Sequence, residues 1–347
     1  MTPSPAGQLL LKGGTAFDGY SFGFIGPATG EVVFNTGMVG YPETLTDPSY
    51  RGQILVLTYP LIGNYGVPAN GMESDRIQVA GLIVSDYSTR YSHWQATRSL
   101  GEWLQEHKIP ALCGVDTRTL TVQLRKEGVM PGQICFGEPG QFEDPNERNL
   151  VAEVSIDSVQ EYGDSGPTIL LIDCGMKQSI LTNFLKRGVR VKRVPWDYDF
   201  TGERFDGLFI SNGPGDPKTC TPTIKHVAWA LEKNIPTFGI CLGNQILGLA
   251  GGADTFKLKF GHRSQNQPCI DQSSGRCYIT SQNHGYAVRN LEEGWQEWFV
   301  NANDKTNEGI RHTSRPFMGV QFHPEVNPGP KDTEFLFDQF LKEVKKA

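Results

Sequence analysis

The segment Gly239-Ile-Cys-Leu-Gly243 constrains the fold most, because it places a cysteine between two glycines where an apolar run gives way to a helical pattern. Residues 235–240 are short and apolar and predict a buried strand, whereas residues 244–250 predict a helix of small side chains. A sharp strand-to-helix turn leaves room only for small residues two positions on either side of its central residue. The pattern therefore predicts a nucleophile elbow, with Cys241 at a helix N-terminus where backbone N–H groups favour the thiolate.

The seven cysteines show no disulfide or zinc pattern. They stand at positions 113, 135, 174, 220, 241, 269 and 277, their number is odd, and none forms a Cys-x-x-Cys pair. With no secretory leader and no long apolar run, these features predict a reducing compartment: cytoplasmic, or mitochondrial if a transit peptide has been removed. We expect no metal and no cofactor in this chain, and most of the thiols are expected to behave as small buried hydrophobes.

Length and charge narrow the function classes. A chain of 347 residues exceeds the roughly 250–300 residues that one core supports, so two domains are predicted. The formal net charge is −6, and no basic run is longer than Lys345-Lys346. The sequence therefore lacks the electrostatic signature of a nucleic-acid or membrane partner, and small molecules and protein partners remain.

A polar, turn-rich stretch at residues 155–167 predicts a linker between domains at 1–154 and 168–347. The first domain is predicted to be α/β but rich in strands. Trp94 is expected to share a helix face with Leu100. The predicted elements of this domain are strands at 31–34, 53–58 and 78–84, and helices at 94–106 and from an Asp116 cap to Gly128.

The second domain alternates strands and helices, which predicts an α/β fold with a mostly parallel sheet covered on both faces. In such flavodoxin-like or Rossmann-like folds, ligands bind at the carboxyl ends of the strands. A final amphipathic helix from about Asp332 carries the apolar residues Phe335, Leu336, Phe340, Leu341 and Val344. The other predicted elements are strands at 169–173, 189–194, 207–210 and 235–240, helices at 179–186, 226–233 and after Cys241, and short β segments at 278–281 and 316–322.

Directly after the last predicted strand, Gln321-Phe-His-Pro-Glu325 offers a base for the cysteine. His323 can take the thiol proton and return it to a leaving amine, and Glu325 can fix the tautomer of the imidazole and stabilise its charged form. The alternative is that His323 caps a strand end and Glu325 is a surface carboxylate. That alternative suits an isolated His-Pro-Glu better, but a cysteine elbow in the same domain favours the catalytic interpretation.

The loop Ser211-Asn-Gly-Pro-Gly-Asp-Pro217 follows a predicted strand and reaches the same sheet edge. Gly213 and Gly215 would let its backbone approach a ligand closely. A phosphate loop is the alternative, but no Gly-Lys-Ser/Thr sequence closes the motif. We expect an N–H group of this loop and the amide of Leu242 to form an oxyanion hole, where one donor is worth about 10²–10³ in rate.

Through the elbow, the Asn-Gly-Pro-Gly-Asp loop and the His-Pro-Glu sequence, the chain resembles the class I (triad) glutamine amidotransferases. The first half resembles the N-terminal domain of the small subunit of carbamoyl phosphate synthetase, and the glutaminase half looks closest to the animal and fungal forms. The resemblance covers nearly the whole chain. The further motifs that carry it are Glu31-Val-Val-Phe-Asn-Thr-Gly37, Gly40-Tyr-Pro-Glu43, Thr46-Asp-Pro-Ser-Tyr50, Thr58-Tyr-Pro-Leu-Ile-Gly-Asn64, Gly114-Val-Asp-Thr-Arg118, Gln282-Asn-His-Gly285, Asn303-Asp and Asn307-Glu-Gly309.

The resemblance implies that Cys241 attacks the side-chain amide of L-glutamine, that His323 protonates the departing ammonia, and that water hydrolyses the thioester to glutamate. Turn formation is the alternative role for Ser49 and Asn283. Two departures, Asn244 in place of histidine and Lys177-Gln-Ser179 in place of Lys-x-Asn, predict a changed affinity for glutamine. The glutamine-binding residues implied by the resemblance are Ser49, Gly213, Gly215, Leu242, Gln245, Asn283, Gly285 and Tyr286.

The sequence therefore predicts a glutaminase that passes ammonia to a carbamoyl phosphate synthetase partner, either a large subunit or a fused domain, for pyrimidine or arginine biosynthesis. ATP and Mg²⁺ are expected in that partner, since nothing in this chain resembles an ATP-grasp synthetase. Two alternatives stay open. One is a glutaminase that serves another synthase, such as one making anthranilate or GMP, which the N-terminal motifs oppose; the other is a catalytically silent module that only docks the synthetase.

Overall fold

The computed structural model describes residues 5–346, and the chain divides into two compact units between Arg148 and Asn149. The helices and strands of the first unit are β1 (Ala6–Leu11), β2 (Ala16–Ser21), β3 (Ala28–Asn35), α1 (Tyr41–Thr46), β4 (Gln53–Ile62), β5 (Val67–Pro68), β6 (Gly81–Tyr87), β7 (Ala96–Arg98), α2 (Leu100–Glu106), β8 (Ala111–Cys113), α3 (Thr117–Glu127) and β9 (Met130–Cys135). Within residues 5–148, seven of these strands close into a barrel in the order β1-β2-β8-β6-β4-β3-β9. The predicted β-rich α/β domain is therefore a closed, mixed barrel, which has no unpaired sheet edge.

The first helix predicted in this unit begins later than expected. Its start is at Leu100, because the side chain of Ser99 accepts a hydrogen bond from the backbone of Glu102 and the Glu102 carboxylate accepts one from the backbone of Ser99. Trp94 precedes the helix and is 85% exposed, so its predicted place on a helix face is wrong. The strand predicted at 78–84 is observed at Gly81–Tyr87. The next helix, α3, lies between Asp116 and Gly128 as predicted.

The second unit contains α4 (Leu150–Val154), β10 (Gln160–Tyr162), β11 (Thr168–Asp173), α5 (Gln178–Lys186), β12 (Arg190–Pro195), β13 (Gly207–Ile210), α6 (Thr221–Glu232), β14 (Thr237–Ile240), α7 (Leu242–Ala250), β15 (Asp254–Asp271), β16 (Cys277–Arg289), β17 (Trp295–Asn301), β18 (Asn307–His312), β19 (Phe317–Val320) and α8 (Phe335–Val344). Within residues 149–346, ten strands form one mixed sheet in the order β10-β12-β11-β13-β14-β19-β18-β17-β15-β16. The run from β12 to β19 is parallel, as predicted, and antiparallel strands extend both sides of it.

Alternate residues of β11 enter different cores. Ile169 and Leu171 pack with Phe184 of α5 and Phe340 of α8, whereas Leu170 packs with residues of α6 and α7. Both faces of the parallel region are therefore covered by helices, as a doubly wound sheet requires. On α8, Phe337 is buried, whereas Phe335, which the sequence suggested for the apolar face, is 40% exposed.

The segment 155–167, predicted as a linker, takes part in the second unit. Its strand β10 pairs antiparallel with β12, and the N–H of Ile156 donates to Oδ2 of Asp173 at 3.1 Å. The boundary therefore falls six residues ahead of the predicted end at 154, since α4 also belongs to the second unit. A polar, turn-rich sequence is compatible with an edge strand, which needs only one paired side.

Three neighbouring parallel strands place the candidate site residues. The strands β13, β14 and β19 lie side by side, and their carboxyl ends lead into residues 211–217, Cys241 and residues 321–325 respectively. This is the edge where α/β sheets bind ligands. Among residues 5–346, no helix is both long and apolar enough to cross a membrane.

Candidate active site

Cys241 lies in the turn between β14 and α7, where the sequence predicts the elbow. Its backbone has φ 54° and ψ −106°, a conformation that residues with a side chain rarely adopt. A Cβ at Gly239 would collide with the carbonyl group of Gly243, and a Cβ at Gly243 would collide with the carbonyl group of Ile210. The two glycines are therefore sterically required. Cys241 itself lies between the end of β14 and the start of α7.

His323 and Glu325 follow β19, the parallel neighbour of β14. Nδ1 of His323 lies 2.6 Å from Oε1 of Glu325, and both residues are buried. The surface carboxylate considered as an alternative is thereby excluded. The other ring nitrogen, Nε2, makes no hydrogen bond within residues 5–346, so it is the atom available for proton exchange with the cysteine.

Buried charges determine the protonation of this pair. Burial lowers the pKa of His323, but the carboxylate of Glu325 and the sulfur of Cys241 outweigh burial and raise it well above its ordinary value. Burial raises the pKa of Glu325, but the charges of Lys177 and His323 outweigh it and hold the pKa below its usual range. Glu325 is therefore an ionised carboxylate that stabilises a charged imidazole.

Lys177 forms a buried ion pair with Glu325. Its Nζ lies 3.0 Å from Oε1 of Glu325 and donates to the carbonyl group of Val326 at 2.9 Å. A buried carboxylate remains charged only when such partners offset its lost hydration. Sequence reasoning noticed Lys177 only as part of a changed motif and missed this contact, which joins residues almost 150 positions apart and has no local signal.

The glycine loop after β13 packs beside the elbow. A Cβ at Gly213 would collide with the carbonyl group of Cys174 and would lie 2.8 Å from Cδ2 of Leu242. Gly215 has φ +84°, in the left-handed region that favours glycine. Leu242 is the first residue of α7, where backbone N–H groups have no intrahelical acceptor. An oxyanion hole formed by these N–H groups remains a prediction.

Strand β16 supplies the wall facing the cysteine. Sγ of Cys241 lies 3.6 Å from the carbonyl oxygen of Asn283. Gln245 donates from Nε2 to the carbonyl group of Tyr286 at 2.9 Å and to Oε1 of Gln321 at 3.1 Å. Around Gly285 there is space: a Cβ there would meet only an amino group of Arg263, at 3.4 Å. The structure thus brings these predicted residues together, and their binding of glutamine remains a prediction.

Ser49 is the one predicted glutamine-binding residue in the first unit. It lies in the 3₁₀ turn Pro48–Tyr50, is buried, and its N–H donates to Oδ1 of Asp47 at 2.9 Å. That bond is the turn chemistry considered as its alternative role. A role for Ser49 in glutamine binding also remains a prediction.

Asn244 faces the sheet. It is fully buried on the first turn of α7 and packs so closely on Gly319 of β19 that a Cβ there would contact its Oδ1. Neither polar atom of its side chain has a hydrogen-bond partner within residues 5–346. The side chain therefore lies between helix and sheet, which does not support a direct effect on glutamine affinity.

A second buried group of ionisable residues lies on the antiparallel part of the sheet: His262, His284 and Glu308. Their candidate ligand atoms lie within 4.8 Å of one another, so these residue types could in principle hold a divalent metal. Sequence reasoning missed this group. One signal was present in the sequence: two members lie in motifs that resemble the glutaminase region of carbamoyl phosphate synthetase, Gln282-Asn-His-Gly285 and Asn307-Glu-Gly309.

Comparison with known families agrees with both halves of the chain. The family "Glutamine amidotransferase class-I" matches residues 170–343, and "Carbamoyl-phosphate synthase small chain, CPSase domain" matches residues 9–134. The chain belongs to the class-I glutamine amidotransferase family, and its first domain is a carbamoyl-phosphate synthase small-chain domain.

Curated relatives are fungal and animal proteins that are much longer. Multifunctional protein pyr-3 of Neurospora crassa is 51% identical over 98% of this chain and 21% of the relative. Carbamoyl-phosphate synthase (ammonia), mitochondrial, of Homo sapiens is 51% identical over 98% of this chain and 24% of the relative. Multifunctional protein URA2 of Saccharomyces cerevisiae is 50% identical over 97% of this chain and 17% of the relative. The chain thus spans only about a fifth of the length of these relatives. The identities confirm the predicted likeness to animal and fungal forms.

Proposed function

We propose that this chain is the glutaminase component of a glutamine-dependent carbamoyl phosphate synthetase. The observation that carries the proposal is the constellation of Cys241, His323 and Glu325 on adjacent parallel strands, with the sulfur beside an imidazole whose other nitrogen is held by a carboxylate. A carbamoyl-phosphate synthase small-chain domain in the same chain supports this synthase over one that makes anthranilate or GMP.

The geometry supports a thioester mechanism. His323 accepts the thiol proton, Sγ of Cys241 attacks the side-chain amide carbon of L-glutamine, and N–H groups of Leu242 and the glycine loop stabilise the oxyanion. His323 then returns the proton to the departing nitrogen, which leaves as ammonia. In the second half, water attacks the thioester with His323 as base, and glutamate leaves. Glu325 keeps its negative charge throughout and stabilises the imidazolium.

Glutamine is proposed to lie between the glycine loop and β16. The carbonyl group of Asn283 already contacts Sγ, and Gln245 fixes the carbonyl group of Tyr286, so this segment borders the nucleophile. Open space at Gly285 leaves room for the amino-acid end of the substrate. The full proposed set is Ser49, Gly213, Gly215, Leu242, Gln245, Asn283, Gly285 and Tyr286.

The ammonia is proposed to pass to a synthetase that binds ATP and Mg²⁺ and forms carbamoyl phosphate from bicarbonate. Relatives that continue far beyond the length of this chain support a synthetase as a fused domain or a separate subunit. The product would serve pyrimidine or arginine synthesis. A cytoplasmic location is proposed, or a mitochondrial one if a transit peptide is removed.

Release of glutamate from L-glutamine by the purified chain, with and without the synthetase, tests the proposal. Cys241→Ala is expected to abolish glutamine-dependent synthesis of carbamoyl phosphate and to leave ammonia-dependent synthesis by the complex intact. Cys277→Ala is the matched control, because Cys277 is an exposed cysteine on the same sheet. Glutamine-dependent activity in Cys241→Ala at more than a trace would exclude Cys241 as the nucleophile. A parent chain that does not hydrolyse glutamine in the complex would instead support the alternative of a catalytically silent docking module.

A further inference from the structure

Glu308 is a fully buried carboxylate that the proposed mechanism does not use. Its Oε1 accepts hydrogen bonds from Nδ1 of His262 at 3.0 Å and from Nδ2 of Asn301 at 3.1 Å. Its Oε2 lies 3.6 Å from Nε2 of His284. Three strands therefore meet at this one side chain: β15 through His262, β16 through His284 and β17 through Asn301.

The charges of Glu308 and His262 stabilise each other. His262 lies between two carboxylates, since its Nε2 is 2.8 Å from Oδ2 of Asp304. Burial lowers the pKa of His262, but Glu308 and Asp304 outweigh it and raise the pKa above its ordinary value. Burial raises the pKa of Glu308, but the two histidines outweigh it and lower the pKa. A charged carboxylate beside a charged imidazole is therefore the stable form, and removing the charge of Glu308 takes away one of the two carboxylate partners of His262.

The backbone of the same residues reaches the candidate active site. His284 follows Asn283, whose carbonyl oxygen contacts Sγ of Cys241. Nδ1 of His284 lies 2.9 Å from the carbonyl oxygen of Tyr286, the same atom to which Gln245 donates. His284 thus connects the side chain of Glu308 to both ends of the segment 283–286.

Glu308 is also tied to the strand that leads to the base. Its carbonyl oxygen accepts a hydrogen bond from the N–H of Gln321 at 2.9 Å, two residues before His323. Oε1 of Gln321 in turn accepts from Gln245. The side chain of Glu308 therefore contacts residues of β15, β16 and β17, and its backbone is bonded to the segment that precedes His323.

We propose that Glu308 is a positioning residue for the proposed glutaminase reaction: paired with His262, its buried carboxylate holds residues 283–286 against Cys241 so that glutamine binds in the reactive orientation. The inference rests on the proposed function. It concerns a residue that touches neither substrate nor nucleophile and acts through His284 and the strand β16.

The test compares Glu308→Gln with the parent chain in steady-state hydrolysis of L-glutamine. Glutamine keeps the shape of the side chain and an oxygen that can accept from His262, but it removes the negative charge that pairs with the imidazole. We expect the KM for L-glutamine to rise about tenfold or more while kcat changes by less than about threefold, since the lost interaction orients the substrate and takes no part in proton transfer. A purely structural role would lower the active fraction, and hence kcat, without changing KM.

Two further variants sharpen the result. Glu308→Asp retains the charge and is expected to recover part of the affinity for glutamine. Asp304→Asn is the matched control, because Asp304 contacts the other nitrogen of His262 but its side chain is about half exposed, whereas that of Glu308 is fully buried. An unchanged KM in Glu308→Gln, or an equal rise in Asp304→Asn, would overturn the proposal. So would a stoichiometric divalent metal in the purified chain, which would make the group a metal centre.

A second measurement separates this inference from the proposed function. Alkylation of Cys241 by iodoacetamide, followed by mass spectrometry, is measured with increasing L-glutamate, the proposed product. The concentration that gives half-protection is expected to rise about tenfold in Glu308→Gln. A parent chain that is protected but does not hydrolyse glutamine would contradict the proposed function alone, whereas equal protection of parent and variant, or none in the parent, would overturn the positioning role.

Discussion

The two units of the chain differ in their numbers of non-glycine residues with positive φ and of buried histidines. Among residues 5–346, the non-glycine residues with positive φ are Lys108 in the first unit and six in the second: Asn234, Cys241, Asn290, Lys305, Val326 and Asn327. The buried histidines among the same residues, His262, His284 and His323, also lie in the second unit. Backbone strain and buried histidines with perturbed pKa values occur preferentially at functional sites. The difference indicates that the chemistry belongs to the open sheet of the second unit.

The first unit differs in the opposite sense, by exposing apolar side chains. In the described part of this unit, residues 5–148, nine large apolar residues are exposed: Tyr20, Phe24, Ile25, Met38, Val39, Leu61, Tyr91, Trp94 and Val122. In residues 149–346 the exposed ones are Val159, Leu185, Ile279 and Phe335. Because a closed barrel offers no sheet edge for pairing, we expect contacts with another protein to be made by such side chains. The comparison predicts a catalytic second unit and a docking first unit.

Replacing the proposed base should have the largest effect. We expect His323→Asn to reduce kcat for glutamine hydrolysis by about 10³-fold or more, nearly as much as loss of Cys241, because residues that act as one device are not additive. His312→Asn is the control, since His312 lies on the neighbouring strand β18, away from the carboxyl end of β19. If the double variant Cys241→Ala/His323→Asn were far slower than either single variant, the two residues would be acting independently.

A smaller loss is expected for Glu325→Gln, about 10- to 100-fold in kcat, since the imidazole remains but loses its charged partner. Stability should reveal the same pairing. The pKa of Glu325 is lower in the folded protein than in the unfolded chain, where it is near 4.3, so its contribution to stability is present above that pH and is lost as the pH falls. The pKa of His323 is higher in the folded protein than in the unfolded chain, where it is about 6.5, so its contribution is present below that pH and is lost as the pH rises.

The free energy of unfolding of parent and Glu325→Gln, measured in urea from acid to alkaline pH, should therefore differ most between about pH 5 and 6.5. The difference should narrow on both sides of that window. A difference that does not vary with pH would show that the two groups are not charged partners in the folded protein.

The next largest effect is expected on binding of the proposed synthetase partner by the first unit. Trp94 is 85% exposed, and exposed tryptophans are frequent energetic centres of interfaces. We expect Trp94→Ala to raise the Kd for the proposed synthetase partner about tenfold, without a change in Tm. Phe335→Ala is the control on the second unit, where the ring is 40% exposed. Weaker binding in the control, with normal binding in Trp94→Ala, would place the interface on the glutaminase unit.

The elbow could be predicted from the sequence because its requirements are local. Small residues at 239 and 243 are dictated by contacts within a few positions and with one neighbouring strand, and the parallel order of strands brings His323 to the same edge. The capping of α3 by Asp116 was predictable for the same reason. Such features need only steric rules and the alternation of strands and helices.

The barrel and the buried charges could not be predicted, because they depend on distant contacts. Closure of the barrel rests on the pairing of β1 with β9, whose residues lie more than a hundred positions apart. Glu308 and Lys177 have no local pattern that distinguishes a buried charge from a surface one. The long hairpin of β15 and β16 also escaped prediction, since its polar residues and register shifts break the alternation of a simple strand.

Asn244 provides the smallest expected effect on activity and tests how far the pocket extends toward the sheet. Since its side chain packs on Gly319 between α7 and β19, we expect Asn244→His to change the KM for glutamine by less than about twofold. The larger imidazole must be accommodated in a closed space, so the free energy of unfolding should fall by about 1–3 kcal/mol. Steady-state kinetics and urea unfolding of the same preparation measure both quantities. A several-fold change in KM with unaltered stability would mean that position 244 borders the glutamine pocket. The first turn of α7 would then contribute to substrate binding and not only to packing against the sheet.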